Sequence, residues 1–386
     1  MNDSWIHTLA KHWGREPVHV PNAFGGSPLP TGDVFSTVID VCAPFRAGTR
    51  MRALPDVAVW TPMGRTRALH DLLPDSGDDP RTYAKKMRAE LDAAGFLVRI
   101  AEGFMGNYRL WSQMRDLVRS LWKRVGYPVV PVKTFIRLGS NFEVHLPADE
   151  VAQAGITLVL SGGADITISG GGKTVDMTVG TGDVVYHPAG FARTESFHDD
   201  YMAVQVQVIE DSRQLSASVF NRGALAVDNA LDVDKVPYLQ LDSYHGRIPA
   251  AGPFKTTAET MRDNLDPESE ARISAILWTQ QTSAACLDPA PDPRQPIEFE
   301  PDTRVRLSSL VVRNPQADGS EMWAANGHAF SVQGEAAAEW LQEFKQCTDV
   351  TVEELCGGSQ GLEALLQRLY VIRAVEMVAQ DGGSDV

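Results

Sequence analysis

The stretch TGDVVYHPAGFARTES, residues 181–196, carries the strongest structural signal in this sequence. Gly182 and Asp183 are typical of a tight turn, residues 184–186 alternate as a strand does, and residues 188–190 end that strand. Strand alternation places His187 on the opposite face from Tyr186. The stretch therefore predicts a short strand held between two turns.

Similar short strands surround this stretch. Five β-rich runs lie between residues 129 and 210, and turns containing Gly or Pro separate them: VVPVKTFIRL, ITLVLSGG, ADITISGGG, KTVDMTV and YMAVQVQVIE. The glycines at 162–163 and 170–172 are hairpin signals. This spacing is typical of a small β-barrel or sandwich.

Helical patterns flank the strands. Residues 110–125, LWSQMRDLVRSLWKRV, place Leu110, Met114 and Leu117 on one stripe and predict an amphipathic helix. Further helices are expected at residues 215–227 and 257–279. Five prolines between residues 289 and 301 indicate a linker. Beyond it, the runs VRLSSLVVR and EMWAANGHAFSV each read as one strand, and helices follow, which is the inventory of a winged-helix-like module.

Composition excludes several classes of protein. The chain has 386 residues, 43% of them hydrophobic, so it can form two or three domains with a sizeable core. A formal net charge of -15 argues against a nucleic-acid partner. The four cysteines contain no CxxC pair, and no apolar run approaches about 18 residues. We therefore expect no disulfide framework, no zinc site, no membrane association and a cytoplasmic location.

Several segments together resemble the JmjC-type cupins, in the branch of the bacterial ribosomal oxygenases. KHWGREPVHVPNAF, residues 11–24, is similar to the opening segment of that family. LWKRVGYPVVPVKTFIRLGS, residues 121–140, resembles its lead-in to the first barrel strand, and residues 181–196 resemble the signature that closes the barrel. MWAANGHAF, residues 322–330, resembles part of its terminal domain. The resemblance covers nearly the whole chain.

This resemblance implies an α+β architecture built on a double-stranded β-helix, the cupin or JmjC barrel, with flanking helices. It divides the chain into a cupin domain at residues 1–210, a helical dimerisation segment at 211–287, a Pro-rich linker at 288–302 and a winged-helix-like domain at 303–386. We accordingly expect a homodimer, since the helical segment has little else to bury its apolar stripe against.

Oxygenases of this family hold Fe(II) with a His-x-Asp pair and a distal His, which leaves positions open for 2-oxoglutarate and oxygen. The resemblance places the distal His at Arg193, and a guanidinium stays protonated and does not ligate iron. The basic residue for the 2-oxoglutarate carboxylate falls on Ala164 or Asp165. The nearest basic residues, none at the family's spacing, are Lys133, Arg137 and Lys173.

The His-x-Asp pair is not found in either possible register. Counted from the upstream flank, the two positions fall on His145 and Pro147. Counted from the downstream strand, they fall near Asp149 or Glu150. A site with one His and one carboxylate would hold iron weakly, because stable sites of this type use three protein ligands.

Three functional interpretations stay open. In the first, the metal site has been lost, no cofactor is needed, and the cavity binds or modifies a peptide or peptide-like substrate. Arg193, His187 and Glu150 are then the candidate catalytic residues. In the second, the protein is a working Fe(II)/2-oxoglutarate-dependent hydroxylase of a peptide or protein side chain. Its relocated metal ligands would be His145, Asp149 and His187. In the third, it is a scaffold or interaction protein.

Arg193 is the residue on which the first interpretation depends. A buried guanidinium needs an anionic partner. That partner is either a substrate carboxylate or a protein carboxylate, with Glu143, Asp149 and Glu150 as candidates. If His187 faces the barrel interior, it becomes a candidate general base beside Arg193.

Overall fold

The structure is a computed structural model that describes residues 4–49, 55–66, 72–91, 95–148, 153–198, 200–210, 259, 267–316 and 319–378. Helices and strands alternate up to residue 140: α1 (Ser4–His12), β1 (Val18–Val20), α2 (Thr31–Arg46), β2 (Asp56–Thr61), β3 (Gly64–Thr66), α3 (Pro80–Glu90), β4 (Phe96–Ala101), α4 (Tyr108–Val125) and β5 (Lys133–Ser140). Seven strands follow: β6 (Glu143–Leu146), β7 (Gln153–Ser161), β8 (Gly163–Gly170), β9 (Lys173–Gly180), β10 (Val184–His187), β11 (Ala192–Phe197) and β12 (Tyr201–Ile209).

These strands form two antiparallel sheets, which we call the barrel. The large sheet has the order β1-β10-β7-β12-β5-β4-β2-β3, and the small sheet has the order β6-β11-β8-β9. The strand predicted at residues 184–186 is β10, which pairs with β7 and with β1. The other five predicted strand runs correspond to β5, β7, β8, β9 and β12.

The large sheet has two different faces. One face packs against the helices in an apolar core that includes Ile136, Leu158 and Val204. Residues from the opposite face, among them Val159, join Ile166 of the small sheet in a second core. Because side chains alternate between faces along a strand, the residues next in sequence to Ile136, Leu158 and Val204 point into the barrel.

The helix predicted at residues 110–125 is α4. It begins two residues earlier, where the Asn107 side chain accepts a hydrogen bond from the backbone N–H of Leu110 at 3.2 Å. It ends before Gly126, whose φ is +98°. Leu110 and Met114 are fully buried, as the apolar stripe predicts. The helix therefore covers the outer face of the large sheet.

The C-terminal part begins with α5 (Pro267–Ser283). Its further elements are β13 (Arg304–Leu307), β14 (Val312–Pro315), β15 (Glu321–Ala325), β16 (His328–Val332), α6 (Glu335–Phe344), β17 (Val350–Thr351), α7 (Val352–Cys356), α8 (Gln360–Val371) and β18 (Val375–Met377). The strands form two three-stranded sheets, ordered β17-β13-β18 and β14-β15-β16.

Two predictions about these strands were wrong. The run at residues 305–313 is not one strand, because β13 and β14 belong to different sheets. The run at residues 321–332 is a hairpin in which Asn326 and Gly327 have φ values of +52° and +87°. An Asn-Gly pair adopts positive φ easily and reverses the chain within two residues. The winged-helix assignment stays a prediction.

The Pro-rich segment at residues 288–302 lies along the C-terminal part. The backbone N–H of Arg294 donates to the carbonyl of Val371 at 2.8 Å, and the Gln367 side chain donates to the carbonyl of Ile297 at 2.8 Å. Helix α5, which precedes this segment in sequence, contacts strand β14, which follows it: the Asn314 side chain donates to the Thr279 hydroxyl at 3.0 Å. The described part of the predicted dimerisation segment thus contacts the C-terminal sheet.

The helix predicted at residues 215–227 lies outside the described residues, and the one predicted at 257–279 is described only from residue 267 onward, as part of α5. The homodimer therefore stays a prediction. Within the described ranges, no helix is both long and apolar enough to cross a membrane.

Candidate functional site

A cavity of about 510 Å³ opens on the inner face of the large sheet. Strand alternation brings its polar wall together: Lys133 and Arg137 lie on the same face of β5. Arg99 of β4 pairs in register with Arg137, and Gln207 of β12 pairs with Lys133. Three strands that are separated in sequence therefore contribute one polar surface.

A buried group of charged side chains lies behind this wall. We call it the charge cluster, and its members are Arg137, Arg193 and Glu195, which are 4%, 1% and 0% exposed. One carboxylate oxygen of Glu195 accepts a hydrogen bond from Arg137 and the other accepts one from Arg193. Two guanidinium groups thus share one carboxylate.

The two terminal nitrogens of Arg193 have further partners, while its Nε has no hydrogen-bond partner within the described ranges. The terminal nitrogens donate to the Thr157 hydroxyl at 3.1 Å and to Nδ1 of His187 at 2.7 Å. Because Nδ1 accepts this hydrogen bond, neutral His187 carries its proton on Nε2. Arg193 is therefore positioned from three sides.

The protonation states follow from burial and from these neighbours. Burial opposes the charged form of Glu195, but Arg137 and Arg193 outweigh that effect and lower its pKa to about 2. Burial, reinforced by the positive charge of Arg193, lowers the pKa of His187 well below its usual value of 6.5. The cluster therefore carries a net positive charge at neutral pH beside a neutral imidazole.

His187 needs a glycine opposite it. It pairs in register with Gly155 of β7, and a Cβ atom at position 155 would lie only 2.1 Å from Cε1 of the imidazole ring. Any larger residue would displace the ring, so Gly155 leaves the space in which His187 can reach Arg193.

The structure brings only some of the predicted site residues together. Arg193 and His187 are in contact, and His187 lines the cavity, whereas Arg193 is not one of the lining residues. His145 of β6 also lines the cavity, but it pairs in register with Thr194, not Arg193, and its Nδ1 lies 2.9 Å from the Thr194 hydroxyl. Asp149 and Glu150 lie outside the described residues.

The carboxylate that pairs with Arg193 was not one of the candidates. The sequence pointed to Glu143, Asp149 or Glu150, but the partner is Glu195, two residues along the same strand. Residues i and i+2 of a strand share a face, so this signal was present in the sequence. Glu143 instead pairs in register with Ser196, on the outward face of β11.

The residues expected to bind a cosubstrate carboxylate lie in different parts of the structure. Ala164 is buried in the second core, and Asp165 is exposed and bonded to Thr178 and His198. Of the three basic alternatives, Lys133 and Arg137 line the cavity. The third, Lys173, is exposed beside Glu16 at 3.5 Å.

In the part of the chain that the structure describes, the carboxylate of the charge cluster and Nδ1 of His187 are already engaged by protein groups. Glu195 is held between the guanidinium groups of Arg137 and Arg193. Arg193 also donates a hydrogen bond to Nδ1 of His187. Within the described ranges, no three His, Cys, Asp or Glu side chains are grouped so that they could hold a metal ion. Stable sites of this kind require three such ligands.

Comparison with known proteins identifies the fold. No family model matches the chain, and no curated protein matches it. Among solved structures, the fold is that of the JmjC-type ribosomal oxygenases, as the sequence resemblance predicted.

One protein whose solved structures match is the ribosomal oxygenase YcfD from Escherichia coli. Its complex with cobalt and succinic acid is 12% identical, with a TM-score of 0.53, and the match covers 97% of this chain and 98% of that chain. Its complex with cobalt and 2-oxoglutarate is also 12% identical, with a TM-score of 0.51 and the same coverage. At this level of identity the likeness shows the fold alone.

Proposed function

We propose that this protein binds a peptide or peptide-like ligand in the barrel cavity, or modifies it there, without iron chemistry. The observation that carries the proposal is Arg193. The family resemblance implies a metal-binding His at this position, and Arg193 instead belongs to a buried charge cluster with Glu195 and Arg137. A divalent cation placed there would meet two guanidinium groups that repel it.

The cavity itself supports a ligand-binding role. Its volume of about 510 Å³ lies within the range of small-molecule and cofactor sites. Trp60, Leu97 and Phe142 supply apolar contact area, while the side-chain amides of Gln205 and Gln207 can donate to and accept from peptide groups. This mixture suits a short peptide segment with at least one apolar side chain.

The first test is metal retention. The purified full chain is incubated with Fe(II) or Mn(II), desalted and assayed for bound metal and for 2-oxoglutarate consumption. We expect well under one equivalent of metal and no consumption, because the described side chains do not supply three ligands. Near-stoichiometric retention that is lost in His145→Ala or His187→Ala would contradict the proposal and favour a hydroxylase with relocated ligands.

The second test is capture of a pool of synthetic peptides in the presence of EDTA. We expect capture that EDTA does not weaken and that Gln207→Trp abolishes by filling the cavity. The matched control is Thr174→Trp, which adds the same side chain at an exposed position of β9. Equal capture by both variants would show that the cavity is not the binding site.

A further inference from the structure

The cavity wall holds one guanidinium group that the charge cluster does not use. Arg99 lies on β4 and stacks over the Phe135 ring, with 3.6 Å between the guanidinium carbon and the ring centroid. One of its terminal nitrogens donates to the side chain of Gln207 at 3.4 Å. Its Nε is buried and has no hydrogen-bond partner within the described ranges. Arg99 therefore has donor capacity left over.

The charge of Arg99 is only partly offset by the protein. Within the part of the chain that the structure describes, no carboxylate forms an ion pair with Arg99, and the nearby Asp56, which favours the charged form of Arg99, pairs with Arg65 at 3.4 Å. Glu102 is largely protonated at neutral pH, because burial raises its pKa to about 8. Burial and the neighbouring Arg137 lower the pKa of Arg99 to about 10, which still leaves it charged at pH 7.

Lys133 adds a further positive charge at the same wall. It is exposed on β5, two residues from Phe135, and lines the cavity together with Arg99 and Arg137. Since Glu195 already shares its single charge between Arg137 and Arg193, the wall keeps an excess of positive charge in a chain whose net charge is -15. An anionic ligand group would restore the balance.

We infer that Arg99, supported by Lys133, binds a carboxylate group of the ligand that enters the barrel cavity. This inference rests on the proposed function and names the chemical group that the cavity selects. A guanidinium edge with unused N–H groups matches the two oxygens of a carboxylate, which is the anionic group that a peptide carries. The carboxylate is either the C-terminus of a peptide or an Asp or Glu side chain.

Three synthetic probes distinguish these sources: N-acetyl-Gly-Phe as the free acid, its C-terminal amide, and N-acetyl-Asp-Phe-amide. Binding to the full chain is measured by ligand-observed NMR. We expect at least one of the two acids to bind about tenfold more tightly than the neutral amide. A preference for the first acid assigns the C-terminal carboxylate, and a preference for the second assigns the side chain.

Variants of Arg99 and Lys133 show which of the two residues causes the preference for the peptide acid. In Arg99→Gln the acid should bind only as well as the amide, and in Arg99→Lys it should keep part of its advantage, because the charge remains but the paired donors do not. Lys133→Gln should weaken the acid less than Arg99→Gln does. The control is Arg81→Gln, an exposed arginine of α3 that pairs with Asp200 outside the cavity and should change nothing.

Two results would overturn the inference: equal or absent binding of acids and amide, and tighter binding of free 2-oxoglutarate than of either peptide acid. In both cases, capture of the peptide pool in EDTA still reports separately on the proposed function. Melting temperatures of the Arg99 variants are measured alongside. Arg99→Lys preserves the positive charge and the stem over Phe135, so its binding decides the question if Arg99→Gln does not fold.

Discussion

Two buried carboxyl groups of this protein have opposite protonation states. Glu195 of β11 is 0% exposed, and its pKa is lowered to about 2. Glu102 follows β4 and is 6% exposed, and its pKa is raised to about 8. Depth of burial therefore does not explain the difference between them.

Their neighbours do explain it. Both oxygens of Glu195 accept hydrogen bonds from guanidinium groups, whose charges outweigh the cost of burial. Among the described residues, the donors to Glu102 are neutral groups of one residue, the Thr134 hydroxyl at 3.0 Å and the Thr134 backbone N–H at 3.4 Å. These donors favour the charged form too weakly to offset burial, so Glu102 is mostly neutral at pH 7.

This difference in protonation between Glu195 and Glu102 also determines where an anionic ligand can bind. Arg193 already has a protein carboxylate as its partner, so no ligand is needed to neutralise it. Arg99 has no ion-pair partner within the described ranges: Asp56 acts on it only from a distance and pairs with Arg65, and the carboxyl group of Glu102 is largely protonated. The side chain suited to ligand binding is therefore Arg99 rather than the arginine at the family's metal position.

The largest expected effect comes from Glu195→Gln. This change leaves two buried guanidinium groups without their shared anion, and breaking such a buried pair costs about 3–5 kcal/mol. Urea unfolding at pH 7 measures the loss. In the control Glu321→Gln, the half-buried pair with Arg313, whose shortest contact is 2.5 Å, is broken at an expected cost of about 0.2–1 kcal/mol. Similar losses in both variants would show that burial does not strengthen the cluster.

A smaller effect of opposite sign is expected from Glu102→Gln. The folded-state pKa of Glu102, about 8, lies above the ordinary value of 4.5, so its contribution to stability is lost as pH rises from about 4.5 to about 8. Between pH 6 and 8 the loss amounts to about 2–3 kcal/mol, at about 1.4 kcal/mol per pH unit. The Gln variant should be free of this loss and more stable than the wild type at pH 8.

Urea unfolding at several pH values checks this prediction. Glu195→Gln serves as the comparison, because the pKa of Glu195 is lowered and its contribution is lost only as pH falls from about 4.5 toward about 2. That variant should keep the slope between pH 6 and 8. If Glu102→Gln keeps the slope as well, the Glu102 carboxyl is ionised in the folded protein.

Much of the barrel was predictable because its signals are local. The turn at Gly182 and the alternation through Tyr186 indicate β10 without any knowledge of distant residues. In the C-terminal part, a local signal was missed, since Asn326-Gly327 is itself a turn signal and the run around it is a hairpin. There the error came from reading a continuous apolar run as one strand.

The site was only partly predictable. His187 and Arg193 lie close to each other in sequence, and strand alternation was enough to suggest their contact. Glu195 was missed because its position was compared with the family's metal pattern rather than with the face of its own strand. Arg99 and Glu102 could not be found in this way, since their roles depend on the register of β4 against β5.

The smallest expected effect extends the comparison to the imidazole beside Glu195. Burial and Arg193 hold the pKa of His187 well below 6.5, so the folded protein resists a proton that the unfolded chain binds. The contribution of His187 is therefore present above pH 6.5 and is progressively lost as pH falls below 6.5. His187→Asn, which keeps an acceptor for Arg193, should flatten this part of the urea-unfolding profile. An unchanged profile in His187→Asn would mean that the imidazole takes up a proton without cost, and that the charge cluster is less positive than its two arginines indicate.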